Sequence, residues 1–80
     1  MKIRNKAYGD LNLIGKQVET LRKERNIKQK DFIAQLQLAG LDINPTSYSK
    51  LEGQIRIASD KEVFYIAKIL NVDMKELFTK

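Results

Sequence analysis

Asn44-Pro45-Thr46-Ser47-Tyr48-Ser49-Lys50-Leu51-Glu52-Gly53 is the stretch on which the fold turns. Asn44 is a good N-cap, and Pro45 stands at the first helical position, where its missing N–H costs nothing. Tyr48 and Leu51, three apart, give the segment an inward side. Thr46, Ser47 and Lys50 fall on the opposite side. Gly53 is expected to end the helix. The segment reads as a short helix with an apolar back and a polar front.

Upstream, a helix is expected from Lys28 to Ala39, with Phe32, Ile33, Leu36 and Ala39 as its buried stripe. Gly40 stands where a left-handed C-terminal glycine belongs. Before it, Asn12 to Arg25 reads as a first helix, with Asn12 as N-cap and Ile14, Val18 and Leu21 on one face. Asn26 is expected to stop it, since asparagine tolerates positive φ. Downstream, Ser59-Asp60-Lys61-Glu62 is a capping box. Val63, Ile66, Ala67 and Leu70 follow at helical spacing, and Asn71 closes the run. A last short helix is expected from Asp73, with Glu76 three residues on, through Leu77 and Phe78. No stretch alternates as a strand does. The sum is an all-α fold, a compact five-helix bundle.

The 80 residues suit one domain with one modest core. Residues 1–11 read as a basic N-terminal arm, with Gly9-Asp10 as a break, and residues 12–80 as the domain. The chain has neither cysteine nor histidine, which removes disulfides and thiolate or imidazole metal sites. No metal and no cofactor are expected. No apolar run approaches the ~20 residues of a membrane span, and no secretory leader is evident, so a cytoplasmic protein with no membrane partner is expected. Without histidine, cysteine, a phosphate loop or a nucleophile elbow, the sequence does not read as an enzyme. The charge of +5 is unevenly spread. Residues 1–30 carry nine basic and three acidic side chains, whereas residues 31–80 carry six and seven. A basic half fits a polyanionic partner, or a solvated surface, about equally.

The ordered set of motifs is more specific than any piece. Leu21-Arg22, then Asn26-Ile27-Lys28-Gln29, then Tyr48-Ser49-Lys50-Leu51-Glu52, then Arg56, then Ile66-Ala67-Lys68-Ile69-Leu70-Asn71-Val72-Asp73 with Leu77 resembles the Xre/Cro family of phage-repressor-type helix-turn-helix proteins. The likeness spans roughly Ile14 to Phe78. It implies a lambda repressor-like DNA-binding domain and a transcriptional regulator, expected to be a repressor, that binds double-stranded DNA as a homodimer. It implies that the helix at 45–52 reads bases in the major groove through Thr46, Ser47 and Lys50. Phosphate contacts are implied for Gln29, Lys28, Asn44, Gln54 and Arg56. Arg22 and Glu52 are implied to form a structural salt bridge between the first and third helices.

Two features depart from the family pattern. The connection between Leu36 and Asn44 is longer than the family's usual tight turn, and Leu38, Leu41 and Ile43 are expected to fold back as extra core. Gln54 stands where the family has glycine, with Gly53 before it, so the chain is expected to leave the third helix one residue early. Tyr65 and Ile69 lie off the main stripe of the fourth helix and serve either core packing or a subunit contact. Two rival functions stay open: an antitoxin or other protein-interaction module on the same fold, and RNA binding. The second is disfavoured because the six aromatic rings read as buried rather than as a stacking platform.

Overall fold

The computed structural model describes residues 8–78. Four α-helices follow one another: α1 (Gly15–Glu24), α2 (Gln29–Ala39), α3 (Pro45–Glu52) and α4 (Asp60–Leu70). A 3-10 helix, Met74–Phe78, ends the described chain. The expected last short helix is thus a 3-10 helix. Its start does follow the reading, since the Asp73 N–H donates to the Glu76 carboxylate and the Lys75 N–H to Asp73. Among the described residues there is no strand, and no helix is long and apolar enough to cross a membrane.

The helices close around one core. α1 packs on α3, α4 and the 3-10 helix, while α2 lies against α3 and α4. Ile14, Val18, Phe32, Leu36, Tyr48, Leu51, Ile66, Leu70 and Leu77 are all essentially excluded from water. Each such side chain stabilises the fold by roughly 1.5–3 kcal/mol before chain entropy is counted. Phe32 and Tyr48 meet edge to face, with ring centroids 5.6 Å apart, which locks α2 to α3.

The caps explain where the helices begin and stop. Asn44 accepts the Ser47 N–H at 2.8 Å, with Pro45 in the first turn. The capping box of Ser59 and Glu62 is formed in both directions. Asn26, Gly40 and Asn71 all take positive φ, as their positions require. α1 starts at Gly15 and not at Asn12. Asn12 still does the work of a cap, because its Oδ1 accepts from the N–H groups of Ile14 and Gly15. Its amide nitrogen is held elsewhere, which keeps residue 12 out of the helix.

The long α2–α3 connection is partly core. Leu41 and Ile43 are buried, and the Gln37 side chain donates to the Ile43 carbonyl at 2.7 Å. Leu38 and Ala39 face solvent instead of the core; Leu38, two residues from Leu36, lies on the side of α2 away from the buried Phe32, Ile33 and Leu36. The exit from α3 also differs from expectation. Gly53 keeps a right-handed φ of −77°, and Gln54 itself takes the left-handed place at φ 60°. A non-glycine residue there costs roughly 1 kcal/mol. The Gln54 side chain offsets part of that cost by donating to the Asn12 carbonyl at 2.8 Å.

Candidate functional site

The base of α3 is a buried polar cluster. Glu52 is fully buried, yet both carboxylate oxygens are satisfied. Oε2 accepts from Arg22 Nε at 2.8 Å and from the Tyr48 hydroxyl. Oε1 accepts from Arg22 Nη2 at 3.2 Å and from the Gln29 amide at 3.3 Å. The Arg22 fork therefore meets the carboxylate in two places, as a planar guanidinium can. Its remaining Nη1 donates to the Ile27 carbonyl at 2.7 Å, which ties down the α1–α2 turn. Burial alone lowers the Arg22 pKa, but the hydrogen bonds and charge of Glu52 outweigh it and the guanidinium stays charged. Burial also pushes the Tyr48 phenol far up, and the Glu52 charge pushes it further, so Tyr48 remains a proton donor. One carboxylate thus joins α1, the start of α2 and α3.

A second polar hub holds the same, C-terminal end of α3 from the side of residues 9–15. Asn12 is nearly buried and donates to the carbonyls of Leu51 at 3.0 Å and Arg56 at 2.8 Å. The Gly9 and Leu11 N–H groups donate to the carbonyls of Gly53 and Gln54, both at 2.9 Å. Gly15 sits flush against the end of α3: a Cβ there would lie 2.2 Å from the Leu51 oxygen. Residues 9–15 thus grip the C-terminal end of α3.

From its N-terminal turn onward α3 presents a polar front. Thr46 and Lys50 are exposed, and Ser47 is half-buried. The Ser47 carbonyl accepts from Arg56 Nε at 2.9 Å. Asn44 is exposed, with its oxygen already used by the cap. Beside this front lies the start of α2, where Lys28 is exposed and no side chain caps the first N–H groups. A cleft of about 220 Å³ opens between the two helices, lined by Gln29, Lys30, Ile33, Ala34, Gln37 and Pro45. Among the described residues neither Lys28 nor Lys50 forms an ion pair.

The expected site residues thus divide. Lys28 stands at the N-cap position of α2, Asn44 caps α3, and Thr46, Ser47 and Lys50 lie on α3, all exposed except the half-buried Ser47. Gln29 is half-buried and turned toward Glu52. Gln54 and Arg56, expected at a phosphate backbone, spend their side chains inside the protein. Gln54 bonds to Asn12. Arg56 gives Nη1 and Nη2 to the two oxygens of Glu62, at 2.9 and 2.7 Å. The capping-box glutamate offered a charged acceptor within reach, and that took the guanidinium. Tyr65 and Ile69 are half-buried and pack against the core. Neither the Asn12 hub nor the role of Gly15 was visible in the motifs. The motifs offer Asn12 only as a helix cap, whereas its bonds to the Leu51 and Arg56 carbonyls depend on the chain's return after α3.

The Arg56–Glu62 pair has a pH signature. Burial raises the Glu62 pKa, but bonds from Arg56 and Ser59, together with the Arg56 charge, more than reverse this and leave it below the usual carboxylate range. A carboxylate depressed in the folded state adds stability that is full above its unfolded pKa and is lost as pH falls through its folded one. Melting curves from pH 7 to pH 3 are expected to show Glu62→Gln less stable than the parent at neutral pH, with the gap closing in acid. A gap that stays constant would mean that the loss does not come from the Glu62 charge.

No family model matches the chain, and no curated protein or solved structure matches it.

Proposed function

We propose that the chain is a sequence-specific duplex DNA-binding protein, a transcriptional regulator of the repressor kind that acts as a homodimer on an inverted repeat. α3 would enter the major groove, and the start of α2 would rest on the phosphate backbone. The observation that carries this reading is the polar front of α3, with Thr46, Ser47 and Lys50 beside the uncapped, lysine-bearing start of α2. Hydroxyls suit base-edge donors and acceptors, and a lysine suits guanine O6 and N7. The N–H groups at a helix start favour an anion such as phosphate. The sequence resemblance to Xre/Cro proteins points the same way. Gln54 and Arg56 drop out of the contact set, because their side chains are committed within the protein.

Two binding measurements test the reading. Affinity for duplex DNA is expected to fall steeply with salt, with each neutralised phosphate adding about −0.9 to the log–log slope. After selection of a preferred site from random duplexes, Lys28→Ala is expected to weaken preferred and random DNA by the same factor and to flatten the slope by about one unit. Lys50→Ala is expected to cost about 1–3 kcal/mol more on the preferred site than on random DNA. Absence of duplex binding even at low salt would end the proposal. Equal losses on both DNAs for Thr46, Ser47 and Lys50 variants would remove α3 as the reading element.

A further inference from the structure

Two short segments flank the end of α3, and each carries a polar side chain between two exposed aliphatic ones. The first is Leu11-Asn12-Leu13 and the second Ile55-Arg56-Ile57. They lie side by side. The Leu11 N–H donates to the Gln54 carbonyl at 2.9 Å, and Asn12 Nδ2 to the Arg56 carbonyl at 2.8 Å. The two polar side chains turn inward, Asn12 to the end of α3 and Arg56 to Ser47 and Glu62. The aliphatic ones do not. Leu11 is 54% exposed, Leu13 76%, Ile55 54% and Ile57 73%. Together they leave on the order of 500 Å² of largely aliphatic surface in water, a size at which an apolar patch on a small protein marks a contact surface.

We propose that this patch is the docking surface for a second copy of the chain across a twofold axis, an inference that rests on the reading of the protein as a dimeric DNA binder. Three observations select that occupant. The chain carries +5, so two copies repel overall and can meet closely only where charge is absent. The patch supplies this, since its one cation, Arg56, is neutralised by Glu62. An aliphatic patch is also complementary to itself, which a twofold interface demands. Its area provides the apolar centre of an interface of standard size, about 800 Å² per partner. Position adds to this. The patch begins just past the end of α3, so the axis lies beside the proposed reading helix, and a change in the dimer would be felt in the spacing of two α3 helices.

The experiment uses the full chain without DNA. Sedimentation from about 1 μM to about 1 mM, the range in which a modest interface dissociates, is expected to show a reversible monomer–dimer equilibrium. The double variant Leu13→Lys/Ile57→Lys is expected to weaken it at least tenfold with unchanged helical content and melting. Leu13→Ser and Ile57→Ser singly provide the same test should the double variant fold poorly. Phe64→Lys, on the exposed side of α4, is expected to leave the dimer intact. A chain that is monomeric at every concentration overturns the proposal, as does a dimer indifferent to changes at Leu13 and Ile57 or one broken by Phe64→Lys. Duplex binding is measured separately. If the parent chain stays monomeric yet binds duplex DNA with the expected salt slope, the docking surface falls and the DNA reading stands.

Discussion

Replacing Glu52 with alanine is expected to cost roughly 3–5 kcal/mol, the largest loss of any single polar substitution in the chain. The carboxylate is fully buried and accepts from Arg22, Tyr48 and Gln29. Its removal leaves the Arg22 charge without a counterion in a dry site, and the Tyr48 hydroxyl without an acceptor. A domain of this size has only about 5–15 kcal/mol of total stability. At ~5 °C per kcal/mol, the melting temperature is expected to fall by on the order of 20 °C. Urea denaturation of Glu52→Ala, Arg22→Ala and the double variant checks the cause. The double variant is expected to lose much less than the sum of the two singles, because the first substitution already strands the partner. A Glu52→Ala midpoint within ~0.5 kcal/mol of the parent would mean that water reaches the pair.

The functional consequence follows from geometry. Glu52 is the last residue of α3, and its partners stand on α1 and at the start of α2. The cluster therefore sets the angle between α3 and α2, the two elements proposed to touch DNA. A buried ion pair contributes less to net stability than an apolar contact of equal volume would, but its hydrogen bonds are directional. Gln29 shows how close structure and function lie here. Its amide is drawn toward Glu52 rather than outward, so a Gln29 substitution would act on the mount of α3 as well as on any phosphate contact.

Local signals in the sequence were legible where a residue's effect depends only on its chain neighbours. Asn44, Ser59 and Glu62 mark helix starts through bonds spanning three residues, which the structure forms, and Pro45 does so through its fixed φ at the first helical position. Asn26, Gly40 and Asn71 mark helix ends through their own φ. The Arg22–Glu52 pair joins residues thirty apart, and only the family resemblance made it foreseeable. What stayed hidden were contacts set by packing. Leu38 was expected to fold back as core with Leu41 and Ile43, but it lies on α2 on the side away from Phe32, Ile33 and Leu36 and faces water. Arg56 looked like a basic residue awaiting a phosphate, yet Glu62 lies within 2.9 Å of it. The sequence offers Asn12 as a helix cap, but its two long-range donor bonds depend on the return of the chain after α3. The spacing of Asp73 to Phe78 points to a short helix without fixing its type, which the structure makes 3-10.

Gly15→Ala separates helix propensity from packing, because the two predict opposite signs. Alanine is favoured over glycine within a helix by up to about 1 kcal/mol, so propensity alone predicts a more stable protein. Packing predicts the reverse. A methyl at residue 15 would lie 2.2 Å from the Leu51 carbonyl oxygen and 2.7 Å from that of Glu52. Both atoms are backbone, so no side chain can swing aside. The Leu51 oxygen already accepts from Asn12 and from the Gln54 N–H. Relief of the clash requires α1 and the end of α3 to move apart, which stretches the Asn12 hub and the Glu52 cluster together. Overpacking of this kind costs roughly 1–3 kcal/mol and occasionally more, and the rigid contacts place this case at the upper end. The net expectation is a loss of roughly 2 kcal/mol, read by urea denaturation. The same displacement tilts α3 against α2, so discrimination between preferred and random DNA is expected to fall while the salt slope holds, since the lysines remain. A variant as stable as the parent or more so would show that helix α1 does not press on the end of α3, and that the Asn12 bonds alone hold it there.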